Sequence, residues 1–171
     1  MYGTVLFDLD GTLTDPGIGI TNSVMYALKK YGIEPSDRSE LYKFIGPPLT
    51  ESFERFYGFT PGQAKEAVEF YREYFKDKGI FENRPYKGID VLLSSLKNAG
   101  MILAVATSKP EVFAERILEH FDLAQYFTVT AGSNLDGSRI NKADVINYAL
   151  RTLNVSDKAS VLMVGDREHD V

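Results

Sequence analysis

The chain has 171 residues, is 44% hydrophobic, and carries 19 basic against 24 acidic side chains for a formal net charge of -5. Length and hydrophobic content suit a folded core with at most a modest insert, and rule out the composition of a disordered chain. The acidic balance excludes a general basic footprint for nucleic acid or anionic lipid, and the lack of cysteine excludes disulfides, thiolate catalysis and a Cys-based zinc site.

Residues 4–14, TVLFDLDGTLT, open the chain with a short apolar run rich in β-formers that stops at Asp8-Leu9-Asp10-Gly11-Thr12. The pattern predicts a buried strand with two acids and a tight glycine turn at its carboxyl end. From Pro16 the character turns helical. A first helix to about Lys30 carries Ile20, Val24, Ala27 and Leu28 inward, and Ser36 or Asp37 caps a short second one, with Glu40 placed for a capping box. Gly46-Pro47-Pro48 breaks the pattern, and Leu49 to Tyr57 resumes it. Thr60-Pro61-Gly62-Gln63 is a helix start with cap, proline and Gln in register, leading to Ala64, Ala67, Val68, Tyr71, Tyr74 and Phe75 on one face. Residues 16–82 are therefore expected to be a helical insertion of three or four helices.

Alternation of strands and helices begins after Arg84-Pro85. A helix with Val91, Leu92, Leu96 and Ala99 inward precedes a buried strand, Met101 to Ala106, closing on Thr107-Ser108-Lys109-Pro110. Next come a helix burying Phe113, Ala114, Ile117, Leu118 and Phe121, a strand from Phe127 to Ala131, and a polar loop to Arg139. A helix with Ile146, Ala149, Leu150 and Leu153 inward leads to the strand Ser160 to Val164, which ends in Gly165-Asp166-Arg167-Glu168-His169-Asp170. Apolar strands alternating with amphipathic helices predict a doubly wound, parallel, Rossmann-like α/β sheet covered on both faces.

Three strands thus stop at polar groups: Asp8 and Asp10, Thr107 and Ser108, Asp166 and Asp170. In a parallel sheet their ends lie on one edge, where ligands gather. The side chains of Asp8, Asp10 and Asp166 are expected to share one cation-sized pocket, with Thr107 and Lys142 on its other wall. Oxygen-only ligands point to Mg²⁺ rather than zinc. A phosphate monoester there would meet one Asp as nucleophile and one as acid and base, with Thr107, backbone amides and a lysine neutralising its oxygens. Lys142, at the amino end of its helix, is placed to be that cation.

Each feature also has an ordinary explanation. Asp-x-Asp is common, Thr107-Ser108 can cap the helix after Pro110, Lys142 can be a solvated helix lysine, Asp170 can merely cap or neutralise, and His120 and His169 read as surface groups. A calcium loop is excluded, because Gly11 falls at the fourth position and Gly19 stands where the terminal Glu belongs.

Asp8-Leu9-Asp10-Gly11-Thr12-Leu13, Thr107-Ser108-Lys109-Pro110, Lys142 and Gly165-Asp166-Arg167-Glu168-His169-Asp170 together resemble the haloacid dehalogenase-like hydrolase superfamily, in its phosphoglycolate phosphatase-like branch. The resemblance implies Asp8 as nucleophile and metal ligand, and Asp10 as acid and base that also gives its backbone carbonyl to Mg²⁺. It implies Asp166 as a metal ligand, Asp170 as a supporting acid, and Thr107, Ser108 and Lys142 as binders of the substrate phosphate. It divides the chain into a core, residues 1–15 and 83–171, and a mobile helical cap, residues 16–82, with Lys43 and the Gly46-Pro47-Pro48 turn as its substrate-facing loop. Family members continue with a further strand and helix, so the carboxyl-terminal part of the core is expected to be missing and the chain to be a fragment.

The activity implied is a Mg²⁺-dependent phosphatase for a small phosphorylated metabolite, phosphoglycolate or a nucleoside monophosphate, working through an aspartyl-phosphate. Alternatives are a sugar-phosphate mutase of the same chemistry, a receiver-like signalling domain that stores a phosphoryl group, and an inactive binding protein. The acid at Asp10 and the long insertion speak against the receiver. With no leader and no long apolar window, a cytoplasmic monomer or weak homodimer is expected, with no nucleic-acid or membrane partner.

Overall fold

The computed structural model describes residues 2–167. Strand β1 (Thr4–Phe7) is buried along its whole length and is flanked by two parallel partners. The first is β4 (Ile102–Pro110), with Phe7 opposite Val105; the second is β6 (Val161–Val164), with Phe7 opposite Val164. Strand β5 (Val129–Ser133) adds outside β4, for an order β5-β4-β1-β6. The strand order turns back at β1, which makes its carboxyl end the natural crevice of such a sheet. The α/β parallel-sheet class expected from the alternation is the one observed.

Helix α6 (Lys142–Thr152) buries Val145, Ala149 and Leu150 against Leu6, Ala104, Ala106 and Ala131 of the sheet. By strand alternation Val5, Phe7, Leu103 and Val105 point to the other face. There α4 (Ile89–Asn98) contacts β4, and α5 (Glu111–His120) contacts β4 and β5. Small residues on β4 and β5 let α6 approach closely, and this fixes where its first residue, Lys142, sits.

Three details differ from expectation. Val91 and Leu92 of α4 are 64% and 44% exposed, and Ala99 is exposed too, while Leu93 is fully buried. The inward stripe is Ile89, Leu93 and Leu96, at i, i+4 and i+7. The crowded apolar run Val91-Leu92-Leu93 fits two overlapping stripes, and packing chooses the earlier one. Strand β6 is only half-buried, with Leu162 at 38% exposure, because among the described residues it pairs with β1 alone. Strand β4 also runs on in extended form through Thr107-Ser108-Lys109 to Pro110, with a register shift between Ala106 and Pro110.

The chain divides into two compact units, Met1–Asp15 with Arg84–Val171, and Pro16–Asn83. At the edges of the first unit, β2 (Thr14–Asp15) and β3 (Arg84–Pro85) pair antiparallel, reinforced by an Arg84–Asp15 ion pair at 2.8 Å. The second unit is helical: α1 (Gly17–Lys29), a 3₁₀ segment (Arg38–Phe44), α2 (Leu49–Tyr57) and α3 (Pro61–Tyr74), which runs into a π-turn at Phe75–Gly79. Thr60 and Gln63 form the capping box that their spacing indicates. Asp37 caps the 3₁₀ segment through the Ser39 amide, while Glu40 accepts from Ser36 rather than closing a box. Phe44 meets Phe53 edge to face and Phe53 stacks on Phe59, with ring centroids 5.1 and 5.7 Å apart. The Lys43 ammonium lies 4.6 Å from the Phe56 ring centre, so this cation rests on an aromatic face. No helix among the described residues is long and apolar enough to cross a membrane.

Within the helical unit, α1 and the π-turn meet backbone to backbone. The Gly19 amide donates to the Glu82 carbonyl at 2.9 Å, and a Cβ on Gly19 would lie 1.9 Å from the Gly79 carbonyl oxygen. Gly19→Ala should therefore lower unfolding stability by about 2 kcal/mol despite the better helix propensity of alanine. Gly62→Ala, where a Cβ meets nothing within 4 Å, should be neutral or slightly stabilising. Urea unfolding of the two variants checks this, and equal stabilities would contradict the close approach.

Candidate active site

Asp8 is the first residue beyond β1, and only 8% of it is exposed. Its amide donates to the Val164 carbonyl at 2.9 Å, continuing the β1–β6 ladder, so the backbone there is fixed by the sheet. One carboxylate oxygen, Oδ1, accepts the Leu9 amide at 2.8 Å, and Oδ2 lies 3.0 Å from Lys142 Nζ. The Thr107 hydroxyl also bonds this carboxylate. Burial pushes the Asp8 carboxyl above the ordinary carboxylate range, and Lys142, Thr107 and the Leu9 amide offset part of that rise. A charge has thus been placed at the sheet edge at a cost, with a cation set on it.

The turn after β1 is tight: Gly11 has φ +84°, and the Thr12, Leu13 and Thr14 amides all converge on the Leu9 carbonyl. A side chain at Gly11 would collide with Asp166, whose Oδ2 would be 2.4 Å from the added Cβ. Glycine is required here twice, for the backbone angle and for the approach of Asp166. Asp166 therefore reaches the same rim as Asp8, two residues past β6. Burial and the charges of Asp15, Asp166 and Asp10, in part opposed by Arg84, push the nearby Tyr86 phenol above its usual value.

Asp10 has a partner that the sequence does not announce. Its Oδ2 lies 2.5 Å from Lys109 Nζ, and this pair is largely buried, at 18% and 6% side-chain exposure. Among the described residues no three acidic or imidazole side chains gather closely enough to hold a metal. Lys109 holds the Asp10 side chain, a partner that the expected sharing of one pocket by the Asp8, Asp10 and Asp166 carboxylates leaves out. What remains for a cation is two carboxylates, Asp8 and Asp166, and backbone oxygen. Among the described residues Asp10 Oδ1 and Thr12 Oγ1 are buried without a hydrogen-bond partner, and such orphaned oxygens normally find a ligand or water.

The remaining groups come from β4 and α6. Thr107 is buried at the β4 edge, and its Oγ1 accepts the Lys109 amide at 3.2 Å. Ser108 is exposed, and its carbonyl accepts the Ser133 hydroxyl at 2.9 Å. Lys142 is 9% exposed at the first turn of α6, a position where the helix dipole disfavours a cation. The Asp8 carboxylate supplies the compensation. Asp170 and His169 lie outside the described residues.

Sequence reasoning assigned no role to Lys109, and it also missed the clamp that holds the loop before Lys142. Arg139, with φ +50°, donates from Nε to the Gly132 carbonyl at 2.7 Å and from Nη2 to Glu111 Oε2 at 2.6 Å and Asn134 Oδ1 at 3.0 Å. Its guanidinium stacks 3.8 Å from the Tyr148 ring centre. Glu111 also accepts the Gly132 amide, so one acid at the start of α5 ties both β5 and the loop. Only the even spacing of Thr107 and Lys109 on an extended strand could have signalled that both face the site.

The family model for haloacid dehalogenase-like hydrolases matches residues 5–171. A 5'-nucleotidase of Pseudomonas aeruginosa is 48% identical over 170 residues, covering 99% of this chain and 76% of that protein. The tyrosine-protein kinase PtkA of Mycobacterium tuberculosis is 44% identical over 167 residues, and there the chain spans 98% of itself but only 56% of the relative. The crystal structure of a predicted phosphatase from Clostridium acetobutylicum superposes with a TM-score of 0.93 at 55% identity, covering 99% of this chain and 78% of that one. A strand-end Asp8-x-Asp10-Gly11 turn with Asp166 packed on its glycine, on a sheet that superposes this closely, is the mark of one lineage: the chain belongs to the haloacid dehalogenase-like hydrolases, in their phosphoglycolate phosphatase-like branch.

Proposed function

We propose that this hydrolase is a Mg²⁺-dependent phosphatase of small phosphate monoesters, with Asp8 as its nucleophile. The observation that carries the proposal is the Asp8 carboxylate itself: buried, anchored at Oδ1 by the Leu9 amide, and facing Lys142 and Thr107. Asp8 attacks phosphorus, forming the Asp8 O–P bond as the ester P–O bond breaks. Asp10 gives a proton to the departing alkoxide, then takes one from the water that attacks the aspartyl-phosphate, and Asp8 is regenerated with release of phosphate. Lys142 and Thr107 stay with the phosphoryl oxygens in both steps, and Ser108 stands beside them at the strand end. Placed before the reaction begins, these donors need little reorganisation as charge shifts onto the phosphoryl group.

The donor set fits Mg²⁺, being all oxygen: the carboxylates of Asp8 and Asp166 and the Asp10 backbone carbonyl, with Asp170 as a supporting acid. When bound, the ion would neutralise phosphoryl and carboxylate charge. The helical unit Pro16–Asn83 is the candidate for choosing the leaving group, as a cap. Nucleoside monophosphates head the substrate panel, in line with the relative named 5'-nucleotidase, followed by phosphoglycolate.

Phosphate release from such a panel should require Mg²⁺ and cease on chelation. Asp8→Asn and Asp10→Asn should each lower kcat by about three orders of magnitude or more with folding intact. Failure of the wild-type protein to turn over any monoester, with metal present, would overturn the assignment.

Removal of Lys142 gives a separate check through stability. Since burial raises the folded-state carboxyl of Asp8 above its unfolded value of 3.8, stability falls as pH climbs through the interval between the two, and the ionised form is the costly one. Lys142→Met should deepen that cost, with a loss of about 3 kcal/mol near pH 7 that shrinks toward pH 4 as Asp8 takes up its proton. Urea unfolding at both pH values measures it. A loss independent of pH would show that Lys142 does not serve the Asp8 charge.

A further inference from the structure

Asp10 must do its work at a defined oxygen, and the structure separates its two. Oδ2 is held at 2.5 Å by Lys109, whose side chain is 6% exposed, while Oδ1 is buried with no hydrogen-bond partner among the described residues. A carboxylate on a two-torsion side chain would otherwise rotate, exchanging its oxygens and drifting from the reacting bond. The backbone of the same lysine adds a second tie, since its amide donates to Thr107 Oγ1, and Thr107 bonds Asp8. Lys109 thus joins both working carboxylates to one extended segment of β4. That segment is rigid: the Ser108 carbonyl takes the Ser133 hydroxyl, and Pro110, which pairs with Ser133, fixes the backbone just beyond.

We infer that Lys109 is the positioning residue of the proton-transferring carboxylate, holding Asp10 by Oδ2 so that Oδ1 faces the bridging oxygen of the ester. The inference rests on the phosphatase reading above and adds a member to its machinery. Lys109 touches neither substrate nor the transferred phosphoryl group. It acts through Asp10, so its removal should harm the step that needs a proton and spare the step that does not.

Leaving groups separate the two. An alkyl ester needs Asp10 to protonate its departing oxygen, whereas p-nitrophenolate leaves without help. For Lys109→Met, kcat/KM for the best alkyl monoester of the panel should fall about 100-fold, and kcat/KM for p-nitrophenyl phosphate should change by less than about 3-fold. Lys109→Arg, which keeps the cation, should recover most of the alkyl-ester activity. In the Asp10→Asn background, Lys109→Met should add no further loss on the alkyl ester. Equal losses on both esters, or additive losses in the double variant, would overturn the inference while leaving the phosphatase reading intact. A wild-type protein inert toward every ester would overturn both.

Discussion

The buried charge of Asp8 is the constraint around which the sheet edge is arranged. It sits at the end of the central strand, below the surface, where water cannot solvate it fully and where burial pushes its carboxyl upward. A lone carboxylate in that place would be a liability. Lys142 answers it from α6, Thr107 from β4 and the Leu9 amide from the chain itself, so three separate parts of the sequence have to arrive at one point. The same dependence runs in reverse, because Lys142 lies buried at a helix amino end and would be poorly placed without the acid.

Arrival at one point is secured by features that seem remote from chemistry. Alanines 104, 106 and 131 thin the sheet surface so that α6 lies close and its first residue reaches the rim. Arg139 braces the preceding loop against Gly132, Glu111 and Tyr148. Gly11 leaves space for Asp166. Asp166 thereby comes against the turn that follows Asp8, and under the proposed function these oxygen donors would suit a hard cation. The Asp10 side chain is engaged by Lys109.

Much of this was legible in the residues. Apolar strands that end in acids declare a parallel sheet with a ligand edge, and Asp8, Thr107, Lys142 and Asp166 do lie along the edge at β1, β4 and β6, or on the helix that packs there. The capping box at Thr60 and Gln63 was also plain, because it depends on four consecutive residues. What failed depends on tertiary choice. Val91-Leu92-Leu93 supports two helical stripes, and only the neighbouring elements decide that Leu93 is the one buried. The apolar pattern ends the strand at Ala106, and so does not show that Lys109 comes to the Asp10 carboxylate. Continued to Pro110, its alternation would have set Lys109 on the face of Thr107 and beside Asp10. The Arg139 clamp joins residues from three elements, and no local pattern announces it.

The central claim is that Asp8 carries the phosphoryl group during turnover. Acid quenching of the Asp10→Asn protein during reaction with p-nitrophenyl phosphate, whose leaving group needs no proton, followed by peptide mass spectrometry, tests it most directly, because loss of the base should let the intermediate accumulate. A phosphate adduct on Asp8, absent from the Asp8→Asn protein, is the expected result. Turnover with no adduct at Asp8, or with the adduct on another residue, would contradict it.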